Sequence, residues 1–266
     1  MDQDPATALQ RFCLTIAYDG RSFEGWQSQP GGNTIQDRLE AAIQSICPEI
    51  DTVQGSGRTD AGVSADGQVA HFDAPANWSM TAEHWQRAIN TQLPPTIRIM
   101  KTQEVSGGFH ARFSPESKTY CYEIWTGPVL PPTLAGLAWH RPSIGDLQAF
   151  QESISSFEGT HDFRAFAATR KDGKDDRRNT VRTISEATVE KEGDLLSISV
   201  TGNGFLYKMV RFLVGSAAEV ARGKLRRERI EDLLKSGGET GKAPFCAPSE
   251  GLRLVKVRYP DLNGGS

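Results

Sequence analysis

Residues 11–18 (RFCLTIAY) are rich in apolar, aromatic and β-branched side chains and run into Asp19-Gly20, a turn pair, which predicts a first strand. Between Thr34 and Cys47 the apolar positions Ile35, Leu39, Ala42, Ile43 and Ile46 recur at helical spacing, and Thr34 with Asp37 fits a capping box at the start. A short strand at Asp51–Val53 leads into Gly55-Ser56-Gly57, and Gly67–Phe72 reads as its neighbour. A second helix over Thr81–Leu93 is stopped by Pro94-Pro95, and Ile97–Val105 is again strand-like. The order is β-α-β-β-α-β.

After a break at Ser106–Ser117, where Gly107-Gly108 and Pro115 interrupt the pattern, the order returns. Thr119–Thr126 predicts a strand and Ile144–Phe157 a helix; Val181–Val189 and Leu195–Thr201 form a hairpin across Lys191-Glu192-Gly193. Phe205–Ala221 is a long apolar helix, Glu228–Lys235 a shorter one, and Gly251–Tyr259 a closing strand. The expected fold class is α+β, with two ferredoxin-like halves built on antiparallel sheets, residues 1–112 and 113–266.

Composition narrows the class. The chain has 266 residues, 38% hydrophobic and 24% charged, with a mean hydropathy of −0.44, the balance of a globular protein large enough to bury a core. No apolar run approaches the roughly 20 residues of a membrane span. Met1–Gln10 carries two aspartates and no apolar stretch, so no signal or transit peptide is expected and the cytoplasm is the expected location. The four cysteines include no CxxC pair and the five histidines no HExxH, so neither a disulfide framework nor a metal site is expected. The net charge of −3 argues against a polyanionic partner until the chain is split before Ser117. Residues 1–116 then hold 8 basic and 14 acidic side chains, and residues 117–266 hold 22 and 19, so the C-terminal part is net positive.

The densest chemical signal is Gly55–Gly62, GSGRTDAG, which presents Arg58, Thr59 and Asp60 on a glycine-rich turn after a strand. A self-stabilising Arg/Asp turn is the plain alternative. Phosphate cradling lacks its GxxxxGK[ST] pattern, and aspartic-protease chemistry lacks a second Asp-small-Gly triplet. A lone carboxylate still serves as nucleophile or base if a cation keeps it ionised when desolvated. Arg211 is a candidate, set among Leu206, Met209, Val210, Phe212, Leu213 and Val214, although any other acidic partner would satisfy it equally. Arg222–Arg229 (RGKLRRER) fits either a phosphate contact or a solvated helix end, and Thr169–Asn179 (TRKDGKDDRRN) either a solvated loop or an RNA contact.

GRTDAGVSADGQVAHF closely resembles the active-site motif of the TruA family of tRNA pseudouridine synthases, in which GRTDAGVHA precedes a QVxHF-like strand. Ordered blocks extend the resemblance over nearly the whole chain: residues 18–20 (YDG), 25–27 (GWQ), 93–95 (LPP), 109–114 (FHARFS), 118–122 (KTYCY), 159–163 (GTHDF), 204–215 with Met209-Val210-Arg211, and 247–252 (APSEGL). The resemblance implies a cofactor-free, metal-free isomerase of the bacterial type. It would convert uridine to pseudouridine at positions 38, 39 and 40 of the tRNA anticodon arm, as a homodimer, with RNA in a cleft between the halves. By the same resemblance Asp60 is the essential aspartate, attacking either the uracil ring or the ribose. Arg211 pairs with it, Tyr120 lies against the target base, and Arg58 helps draw the uridine from the stack. Leu252, with Leu254 as a rival, packs beneath the base. Ser64 stands where the family commonly has His, which implies changed RNA contact rather than lost activity. The competing class is a ferredoxin-like RNA-binding module without catalysis, against which stands the absence of an RNP1-like run.

Overall fold

The computed structural model describes residues 8–169 and 179–260, so the first seven residues and nearly all of the mixed-charge run Thr169–Asn179 lie outside the described residues. The N-terminal elements are β1 (Leu9–Tyr18), α1 (Ile35–Gln44), β2 (Gln54–Gly55), β3 (Ser64–Pro75), α2 (Ala82–Gln92) and β4 (Ile97–Val105). Then follow β5 (Ser117–Trp125), β6 (Trp139–His140), α3 (Leu147–Ser155), β7 (Gly159–Asp162), β8 (Val181–Glu192), β9 (Leu195–Gly202), α4 (Met209–Ala221), α5 (Glu228–Lys235) and β10 (Leu252–Arg258). Among the described residues the fold is mixed α+β with five α-helices; the pairs β1–β3, β1–β4, β2–β3, β5–β9, β7–β8 and β8–β9 are antiparallel, and the short pair β5–β6 is parallel.

Two compact units divide the chain, one of residues 1–116 and 254–266 and the other of 117–253. Most of β10 therefore returns to the first unit, whereas sequence adjacency places it with the second. In the first unit β1 lies between β4 and β3, antiparallel to both, and β2 pairs with β3 on its far side. The capping box is formed, with the Thr34 hydroxyl accepting from the Asp37 N–H while the Asp37 carboxylate accepts from the Thr34 N–H. Ile35, Leu39 and Ile43 of α1 and Trp85 and Ile89 of α2 are buried. Phe12, Phe72 and Trp85 meet with ring centres 5.2–6.0 Å apart, each aromatic side chain giving about 1.5–3 kcal/mol by burial.

In the second unit the strand order is β5–β9–β8–β7, and α3 packs on α4. Helix α4 begins at Met209, four residues later than its apolar pattern starts. The Tyr207 carbonyl accepts from the Ala168 N–H at 3.0 Å, and Lys208 adopts a left-handed φ of 60°, so helical pairing starts only beyond it. No helix among the described residues is long and apolar enough to cross a membrane.

The segment after β4 is tied back to the first sheet. Arg11 chelates Asp73 at 2.6 and 2.7 Å and donates to the carbonyls of Gly107 and Phe109, while buried His71 accepts the Ala111 N–H through Nδ1 at 3.2 Å. Burial, then the Arg11 and His110 charges, hold the His71 pKa down at about 4. An unfolded chain takes up this proton near pH 6.5, so stability from neutral His71 is complete above that value and is lost as pH falls towards 4. The expected loss across this window is about 3 kcal/mol. His71→Gln should remove most of that slope, as denaturant melts at pH 4.5, 5.5 and 7 would register.

Candidate active site

The GSGRTDAG turn is held by residues far from it in sequence. Thr59 is only 7% exposed. Its carbonyl accepts the Trp26 N–H at 3.1 Å, and its hydroxyl shares a 2.8 Å hydrogen bond with the Tyr18 phenol. Burial pushes the Tyr18 pKa up to about 12, so the phenol keeps its proton at neutral pH. At the start of the turn the Ser56 N–H donates to the Val69 carbonyl at 2.7 Å and its hydroxyl to Gln68 Oε1 at 2.6 Å, while Gln68 Nε2 donates to the Gly57 carbonyl at 3.1 Å. At its end the Val63 N–H donates to the Asp60 carbonyl at 3.1 Å, and Gly62 takes a φ of 80°. Pinning Thr59 inward leaves Arg58 exposed and Asp60 half-buried on the same turn.

Gly25 makes this seat possible. Its φ is 93°, and a Cβ there would lie 2.6 Å from the Thr59 carbonyl oxygen. Gly25→Ala should destabilise the protein by about 2 kcal/mol and lower turnover more than tenfold, because the turn itself is displaced. Gly107→Ala, with nothing within 4 Å of its Cβ position, is the neutral comparison; thermal melts and initial rates on the two variants check this.

The remaining candidates belong to the second unit. Tyr120 lies within β5 opposite Val200, is 8% exposed and meets the Phe205 ring edge-on at 5.0 Å. Arg211 lies in the first turn of α4 and is half-buried rather than sealed among apolar neighbours. Its Nε donates to the Ala247 carbonyl at 2.7 Å, and the Ala247 N–H donates back to the Arg211 carbonyl at 3.0 Å. Gly215, one turn on, lets this segment lie flush on the helix: a Cβ there would sit 2.3 Å from the Phe245 oxygen. The same run continues to Leu252 through Gly251, whose φ of 89° turns the chain, and Tyr122 holds it by donating to the Pro248 carbonyl at 2.9 Å. Leu252 keeps 8% of its surface, whereas Leu254 keeps 1% and has almost none left for a ligand.

The family model described as tRNA pseudouridine synthase matches residues 14–114 and 154–260, spans that contain both the Asp60 turn and the Arg211 helix. The chain belongs to the tRNA pseudouridine synthase family. It is 48% identical over 261 residues to tRNA pseudouridine synthase A of Akkermansia muciniphila, covering 97% of this chain and 98% of that one. It is 41% identical over 251 residues to tRNA pseudouridine synthase A 2 of Clostridium perfringens, covering 94% and 100%. The corresponding protein of Geobacillus kaustophilus shares 41% over 254 residues, 95% of each chain. The activity of a tRNA pseudouridine synthase is an isomerisation, so the protein is an isomerase.

For this tRNA pseudouridine synthase, the structure gives internal partners to two features that stood out in the sequence. The Ser64 hydroxyl accepts the Gly20 N–H at 3.0 Å, so it has an internal partner at the seat of the turn. In the basic run, Arg222 pairs with Glu219 at 3.2 Å, Arg227 pairs with Glu152, and Arg229 donates to the Thr240 carbonyl, leaving Lys224 and Arg226 as its other exposed cations. Such exposed pairs are worth about 0–1 kcal/mol and exchange readily for a phosphate. The seat residues Tyr18, Gly25, Trp26 and Gln68 carry no chemistry of their own in the sequence. Their signal is that they fall inside the blocks that resemble the family.

Proposed function

We propose that the protein isomerises uridine to pseudouridine at positions 38, 39 and 40 of the tRNA anticodon arm, with Asp60 supplying the catalytic carboxylate and without a cofactor. The supporting observation is the turn in which Thr59 is anchored inward from Tyr18 and Trp26 while Asp60 and Arg58 stand on the same segment. The reaction breaks the N1–C1′ bond of uridine and forms a C5–C1′ bond; the C5 proton leaves to solvent and N1 ends protonated. No electrons or groups are gained, so positioned side chains suffice.

In this reading Arg58 helps draw the uridine out of the stack, Tyr120 lies against its ring and Leu252 packs beneath it, together offsetting the few kcal/mol of unstacking. Arg211 is the guanidinium that the family pattern pairs with the aspartate, keeping it ionised as water is excluded. The pairing of β1 with both β4 and β3, and of β2 with β3, supports reading the first unit as a ferredoxin-like half. The homodimer follows from the family resemblance, and the cytoplasm is the location the sequence leads us to expect. Release of tritium from tRNA labelled at uridine C5 tests the function. Tritium should be released from tRNA carrying uridines at positions 38–40 and not from the same tRNA with cytidines there; equal release from both would refute the positional assignment.

A further inference from the structure

Phe113 is 74% exposed, the most exposed aromatic side chain among the described residues, and it lies outside the GSGRTDAG turn. It is nevertheless held on a rigid support. The Phe113 and Ser114 N–H groups donate to the His110 carbonyl at 3.1 and 2.9 Å, the His110 N–H donates to the Ser114 hydroxyl at 3.0 Å, and the Arg112 N–H donates to His110 Nδ1 at 3.1 Å. Beneath them Ala111 is fully buried and clamped on both sides, its N–H by His71 and its carbonyl by the Tyr259 hydroxyl at 2.6 Å. On this base the His110 ring lies 4.4 Å from the Phe113 ring, and the Arg112 guanidinium carbon 5.4 Å from it.

The buried Phe109 and Ala111 account for the ties beneath, but an aromatic side chain that is 74% exposed adds almost nothing to stability, so packing does not explain Phe113 itself. A fixed aromatic face beside a guanidinium is the arrangement that receives an unpaired nucleobase by stacking and cation–π attraction. We infer that Phe113, with Arg112 and His110, forms a platform on which one unpaired nucleotide of the tRNA stacks. The inference rests on the proposed action on tRNA and adds a contact surface to it. A protein partner fits less well: the exposed residues flanking Phe113 in the chain, Ser106, Gly107, Gly108, Arg112 and Glu116, are polar or glycine and supply no apolar patch.

Steady-state kinetics on an unmodified tRNA transcript, with binding measured in parallel by fluorescence anisotropy, test the platform. Phe113→Ala and Phe113→Leu should each raise KM and Kd about tenfold with kcat within about twofold, while Phe113→Trp stays near wild type, since leucine keeps apolar area but has no π-face. An unchanged melting temperature in all three would confirm that the change is in RNA contact. Wild-type affinity in Phe113→Leu overturns the platform, as does a shift in oligomeric state on gel filtration with Phe113→Ala, which would mark a contact between copies. If the wild type bound tRNA but released no tritium, the proposed function would fail, while the binding data would still decide the platform.

Discussion

Asp60→Asn should lower pseudouridine formation by at least about a thousandfold while leaving tRNA affinity within about threefold of wild type. The two effects separate because side chains other than Asp60 seat the turn. Thr59, Ser56 and Gln68 anchor it, and Asp60 contributes to its closure through a backbone carbonyl that accepts from Val63 and that asparagine retains. Asparagine matches the size of aspartate but can neither attack as an anion nor accept a proton as a base. Its melting temperature should therefore match wild type within a degree or two, and single-turnover rates with saturating enzyme isolate the chemical step. Retention of a tenth of the activity would remove Asp60 from the catalytic role.

Arg211→Lys is expected to reduce kcat about a hundredfold with Kd for tRNA changed less than about threefold. The guanidinium is fixed by its Nε bond to the Ala247 carbonyl, and the Ala247 N–H bonds back to the Arg211 backbone. Lysine has no Nε donor to keep that tie and no planar fork to present to a carboxylate, yet it preserves the charge that a phosphate would sense. A pure phosphate contact would instead show matching losses in kcat/KM and affinity, together with a strong salt dependence of both.

Local pattern carried most of the framework. The spans of β4 and α5 agree with their apolar periodicity, and the Thr34–Asp37 capping box was visible as two residues three apart. The elements without such a pattern were not legible: β6 has two residues, and β7 is the polar stretch GTHD, paired to β8 by backbone hydrogen bonds. The late start of α4 depends on a left-handed Lys208 and a carbonyl used by Ala168, neither of which leaves a mark on hydrophobic spacing.

The candidate site divided along the same line. Its glycine-rich turn stands out in the sequence, but the reason Asp60 is presented there does not. Tyr18 bonds to Thr59 across 41 positions and Gln68 to Ser56 across 12, distances at which strand periodicity reports only that a residue faces inward. Gly25 illustrates the gap: an ordinary turn glycine by composition, it is required by the Thr59 carbonyl lying where its side chain would be. Arg211 shows the reverse. Its apolar neighbours suggested full burial, whereas the helix start leaves it half-buried with a backbone carbonyl as one partner.

The most direct measurement is nucleotide-resolution mapping of pseudouridine in an unmodified tRNA transcript after incubation with the wild type and, in parallel, with Asp60→Asn. The expected result is pseudouridine at positions 38, 39 and 40 wherever uridine stands there, in the wild-type reaction alone. Pseudouridine in equal amount with both proteins, or none with either, would contradict it.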